Sequence, residues 1–115
     1  MMTKNKSWGD VSIEYNSDKL NKLKLNSSTL LLTRVELDNI FLLMTVILKS
    51  KVLYPAGYTI DLGKVHLSFY KYGTPYVAIH VRRFDSAELN RVRIPFDTFN
   101  AIYKFIEECL GGYEQ

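Results

Sequence analysis

Between Lys64 and Arg93, basic and aromatic residues recur at a spacing that would gather them on one side of a sheet. His66, Ser68 and Tyr70 alternate with Val65, Leu67 and Phe69. Tyr76, Ala78, His80, Arg82 and Phe84 alternate with Val77, Ile79 and Val81, and Arg91 and Arg93 alternate with Val92 and Ile94. Lys64, Lys71, Tyr72 and Arg83 stand near the strand ends. Arginine and lysine neutralise phosphates and release their counterions. Aromatic rings offer platforms for unpaired bases, at ~1–3 kcal/mol per stacked base and with tolerance of base sequence. A sheet that mixes the two suits single strands better than duplexes, whose major groove admits a helix more readily than a flat sheet face.

Two other readings of the same face stay open. The site could take RNA rather than DNA, since the choice depends on accommodating the 2′-hydroxyl. Alternatively, Tyr70, Tyr76 and Phe84 could be cross-strand packing partners on a protein-contact surface that the arginines keep soluble.

Other residue types give no catalytic constellation. His66 and His80 lack the cysteine or carboxylate neighbours that would complete a zinc site. Cys109 lies among apolar helical positions and reads as an inert buried thiol. Asp61, Asp85 and Glu88 are scattered in connections and form no acid–base pair. Gly111-Gly112 follows a helix rather than opening one, so it is a stop and not a phosphate loop. No catalytic residue, metal or cofactor is expected, and the expected class is non-enzymatic.

The elements that must position the basic and aromatic face follow from periodicity. Val11, Ile13 and Tyr15 form one alternating strand, Leu23 and Leu25 a second, and Thr29–Leu37 a third. Asp38 is the expected N-cap of a helix that runs to about Lys51 and is apolar almost all round. After the break at Pro55-Ala56-Gly57, strands over 65–70, 76–82 and 91–96 lead through Asp97, again the expected cap, into a helix. That helix carries Phe99, Ile102, Tyr103, Ile106 and Leu110 at helical spacing. The expected organisation is a polar tail over 1–7, a first β-rich module with its apolar helix over 8–54, a second module over 58–110 and a tail over 111–115.

The two strand-to-helix junctions superpose by a shift of 59 (97 − 38), which carries Leu37, Asp38, Ile40, Leu43 and Ile47 onto Phe96, Asp97, Phe99, Ile102 and Ile106. An internal duplication is one reading, and generic strand–cap–helix patterning is the other.

The 115 residues are 47% hydrophobic and 23% charged, a composition that supports a packed core rather than disorder. A net charge of +3 is too small to identify a partner by itself. One cysteine allows no internal disulfide and fits a reducing compartment. The N-terminus lacks a leader pattern, and the Ile40–Leu48 run is shorter than the ~20 residues a membrane span needs. A soluble intracellular protein is expected, in cytoplasm or nucleus, or virus-encoded within a host cell.

The second half resembles the transcriptional coactivator positive cofactor four family, which has bacterial and viral relatives. The matching stretch runs from Ile60-Asp61-Leu62-Gly63-Lys64 through Val65–Tyr72 and Val77–Phe84 to Arg91-Val92-Arg93-Ile94-Pro95-Phe96. It lacks the family's tryptophan after the second strand and its Gly-rich basic connection, and its turn at Gly73-Thr74-Pro75 is one residue longer. The resemblance implies an α+β fold, a curved antiparallel sheet on a helix (a ββββα module), assembled as a dimer and binding single-stranded DNA across its sheets. It implies roles without catalysis in transcription regulation, replication or recombination. It carries over Lys64 as the Gly-Lys lysine, Arg82 and Phe84 at the end of the second strand, Arg91 and Arg93 on the third, and Tyr70, Lys71 and Tyr72 before the first turn. Two modules in one chain could form the dimer internally. Otherwise a homodimer is expected.

Overall fold

The computed structural model describes residues 3–49, 56–63, 65–72, 76–83 and 89–111. Eight strands and two helices follow one another as β1 (Thr3–Trp8), β2 (Val11–Asn16), β3 (Asn21–Leu25), β4 (Ser28–Leu32), α1 (Arg34–Lys49), β5 (Ala56–Asp61), β6 (Val65–Tyr72), β7 (Tyr76–Arg83), β8 (Leu89–Pro95) and α2 (Phe96–Gly111). Each set of four strands is an antiparallel meander, β1-β2-β3-β4 and β5-β6-β7-β8, and each is followed by its helix. The architecture is therefore α+β, a ββββα module present twice.

Both modules gain a first strand that periodicity did not reveal. The expected polar tail is strand β1, paired with β2 from Thr3↔Asn16 to Trp8↔Val11. Its core-phase positions are Lys4, Lys6 and Trp8, so the alternation is not apolar. Lysines on an edge strand are one of the ways it is kept from pairing further. Lys6 lies 5.7 Å from the Trp8 ring, and Lys4 meets Glu108 of α2 at 3.6 Å. Similarly, Ala56-Gly57 does not end a module but begins β5, whose turn into β6 uses Gly63 at φ +81° and an Asp61 side chain accepting from the Gly63 N–H at 2.8 Å.

The helix starts also differ from expectation. The third strand of the first half ends at Leu32, not Leu37, because Thr33 caps α1. The Glu36 N–H donates to Thr33 Oγ1 at 3.1 Å while the Thr33 N–H donates to Glu36 Oε1 at 2.9 Å, a reciprocal capping box. Asp38 lies a turn further in, 3.5 Å from Arg34 Nε. Asp97 is likewise inside the first turn of α2, which begins at Phe96. There its charge faces the positive end of the helix dipole without capping it.

The buried positions correct the repeat. Leu37, Ile40, Met44 and Ile47 of α1 correspond to Phe99, Ile102, Ile106 and Cys109 of α2, a shift of 62 (99 − 37), and Leu30 and Leu32 correspond in the same way to Val92 and Ile94. The sequence match at 59 misses by three residues. Three residues rotate a helix position by only about 60° from its original face, so helical periodicity barely distinguishes the two shifts. The same slip exchanges the faces of a strand.

One continuous core joins the modules. Phe41 of α1 stacks on Tyr103 of α2 at 4.8 Å, and Thr45 Oγ1 is 3.0 Å from the Tyr103 hydroxyl. Trp8 of β1 meets Phe105 of α2 edge to face at 5.4 Å. Asn90 of β8 donates through Nδ2 to the Leu25 carbonyl and to Ser28 Oγ, both at 2.7 Å. The two halves thus pair within the chain.

Candidate nucleic-acid interface

Strand register fixes which side chains share the outer face of the second sheet, because directly paired residues point the same way. Three rows run across β5–β8: Asp61–His66–Arg82–Leu89, Thr59–Ser68–His80–Arg91 and Gly57–Tyr70–Ala78–Arg93. A fourth pairs Tyr72 with Tyr76 and Tyr76 with Pro95. The intervening rows turn inward: Val65, Leu67, Phe69, Val77, Ile79, Val81, Val92 and Ile94 are all buried. The expected placing of His66, Tyr70, Tyr76, His80, Arg82, Arg91 and Arg93 on the side opposite these residues is therefore present.

Arg82, Arg91 and Arg93 are exposed, while His66, Ser68, Tyr70 and His80 are half-buried. Among the described residues no ion pair holds any of the three arginines. Arg93 lies over the Tyr76 ring at 5.6 Å, and Tyr76 remains 42% exposed, which leaves ring surface for a further stacking partner. The Tyr70 and His80 rings meet at 4.6 Å with a 47° tilt. A Cβ on Gly57 would come within 3.0 Å of Tyr70 Cε1, so the absence of a side chain at Gly57 lets the tyrosine ring lie across the edge strand. Burial, and after it the neighbouring Arg91 charge, push the His80 imidazole below its ordinary value. Thr59, His66, Ser68, Tyr70, His80, Arg82 and Leu89 line a groove of about 360 Å³ on this face.

The remaining expected site residues divide into two groups. Tyr72 has the register of the outer face, whereas Lys71 pairs with buried Val77, out of phase with Tyr70. Lys64 and Phe84 lie outside the described residues. The groove adds Thr59, Ser68 and Leu89 to the candidate set. Thr59 was hidden because β5 was not legible, and Leu89 because its connection reads as polar.

Among the described residues, the histidines and the cysteine assemble into no further chemical site. His66 and His80 sit on diagonal positions of neighbouring strands, and among the described residues no three His, Cys, Asp or Glu side chains group as metal ligands. Cys109 is buried, and that burial pushes its thiol up, with Lys4 opposing and Glu108 reinforcing the shift. Among the described residues no helix is long and apolar enough to cross a membrane.

The fold and this face define a class, a two-module α+β protein with one basic, aromatic sheet surface. No family model matches the chain, and no curated protein matches it. Among solved structures, it is similar to a protein of unknown function from the DUF155 family of Prochlorococcus sp. NATL2A, with TM-score 0.61 and 8% identity over 95% of this chain and 99% of that one. At that identity the likeness is one of fold alone.

Proposed function

We propose that this chain is a non-catalytic single-stranded DNA-binding protein whose binding surface is the outer face of β5–β8. One observation carries the reading: Tyr70, Tyr76, His80, Arg82, Arg91 and Arg93 share one accessible side of a sheet whose other side packs Val65, Leu67, Phe69, Val77, Ile79, Val81, Val92 and Ile94 into the core. The arginines would neutralise phosphates and the rings would stack on bases, with no groove-reading helix involved. The resemblance to positive cofactor four supports the same ligand and a role in transcription regulation, replication or recombination. Pairing of the two halves within the chain supplies the two-module arrangement that the resemblance assigns to two chains, so a monomeric mass in solution is expected rather than a homodimer.

The deciding experiment titrates the protein with oligothymidylate, a matched RNA and duplex DNA at two salt concentrations. With about four to six phosphates neutralised, the log–log salt slope for the single strand is expected near −3 to −4, with duplex bound far more weakly. Tighter binding of the RNA would move the assignment to RNA. Absence of any salt-dependent capture would leave the face as a protein-contact surface.

A further inference from the structure

Leu89 is one of the residues that line the face groove. Leu89, 41% exposed, also lines a second hollow of about 280 Å³ with Ser27, Ser28, Val81, Arg83 and Asn90. This hollow lies at the seam between the modules, where the β3–β4 turn of the first meets the β7–β8 end of the second.

We propose that a bound single strand continues from the sheet face over Leu89 into the seam, where Arg83 holds a phosphate and the serine hydroxyls supply further hydrogen bonds. The inference rests on the single-strand reading above and extends its site into the first module. Arg83 is suited to this position because it pairs with Val65 rather than with the outer rows, so its direction is opposite to that of Arg82. It is exposed at the end of β7, and among the described residues no ion pair engages it. Consecutive arginines thus serve two adjoining surfaces.

The far wall of the hollow is fixed in place. Asn90 spends its amide donors on the Leu25 carbonyl and Ser28 Oγ, and the Asn26 N–H donates to the Asp10 carbonyl at 2.7 Å. Ser28 Oγ accepts from Asn90 and so keeps its own proton to donate. Ser27 is exposed beside it. Arginine and serine are both common phosphate contacts, and a wall ordered before binding costs little further entropy. Arg83 also lines the next hollow, whose other walls include Leu30, Leu32, Leu62, Val65 and the acidic residue Glu36. Apolar walls and a negative charge disfavour a phosphate, so the track ends at Arg83.

The test compares wild type with Arg83→Ala and with Arg83→Glu on oligothymidylates from about 4 to about 16 nucleotides, the span of site sizes among single-strand binders. The shortest oligomers that bind should bind all three proteins alike. On longer ones the variants should fall behind, Arg83→Glu by more, and the Arg83→Ala salt slope should be shallower by about 0.7, the contribution of one phosphate. Variants equal to wild type at every length, or weaker by one constant factor at every length, would overturn the continuation while leaving the face reading intact. If wild type captures no oligothymidylate, both readings fall together. Unchanged melting of the variants shows that folding is not the cause of any difference.

Discussion

On the first sheet the outer rows read Asn5–Glu14–Lys22–Leu31 and Ser7–Ser12–Lys24–Thr29, while on the second they read Thr59–Ser68–His80–Arg91 and Gly57–Tyr70–Ala78–Arg93. Both sheets put aliphatic residues on the side that meets the common core, so packing does not account for the difference between their outer faces. The first face bears no aromatic ring, and its Lys22 is already 3.6 Å from Glu14. The second gathers rings with three arginines. Strand length differs as well: β6 and β7 have eight residues each, where β2 and β3 have six and five. The longer pair creates the extra rows on which Tyr70, Tyr72 and Tyr76 stand. Two modules of one architecture can thus divide labour, one completing the fold and the other carrying the surface on which a ligand can lie.

The division is most directly broken by charge. Replacing Arg82, Arg91 and Arg93 together by alanine should weaken oligothymidylate binding on the order of 10³-fold or more, since each charged contact contributes about 1.5 kcal/mol or more. The salt slope should become shallower by about 2. Lys22→Ala with Lys24→Ala on the other sheet should change affinity by less than about 3-fold, because one lysine is paired and neither adjoins a ring. Equal losses from the two sets, measured by fluorescence titration, would show that net charge rather than the second face does the binding.

A smaller effect separates stacking from charge. Tyr70→Ala should cost about 1–3 kcal/mol of binding, roughly 5- to 150-fold, while leaving the salt slope unchanged, because a ring neutralises no phosphate. Little loss of affinity together with a lowered melting temperature would assign Tyr70 to packing against Gly57 and not to a base.

The smallest effect is in pH. His80 is held below its ordinary value of 6.5 by burial and by Arg91, so it is neutral at pH 7. A phosphate nearby favours the imidazolium, so affinity should rise as pH falls from about 6.5 through the lowered native value. The gain should be a few-fold and absent in His80→Gln. Stability of the free protein moves the other way. In that window the unfolded chain binds more protons than the native one, so stability is fullest above about pH 6.5 and declines as pH falls. Thermal melts and titrations over the same pH range check both signs. Binding that weakens on acidification would remove His80 from the ligand's path.

Alternation alone placed His66, Tyr70, Tyr76, His80, Arg82, Arg91 and Arg93 on one face, and it placed the aliphatics of the same strands in the core. It worked there because a strand's side chains change sides at every residue whatever its partner. The α+β class and the two helices were legible for the same reason. Edge strands were not: β1 fills its core-phase positions with lysines beside Trp8, and β5 begins at residues that read as a break. The Thr33–Glu36 capping box was present in the sequence, but Asp38 competed with it. The repeat was visible, though displaced by three residues.

The sequence by itself determined which residues alternate, and hence the chemistry of the face, because the period of a strand is local. Only the tertiary structure decided the cross-strand rows of the face, the ring resting on Gly57, the 62-residue correspondence of the modules and the seam beside Arg83. Each of these depends on which backbone lies alongside which, and that is set by burying two sheets and two helices around one core.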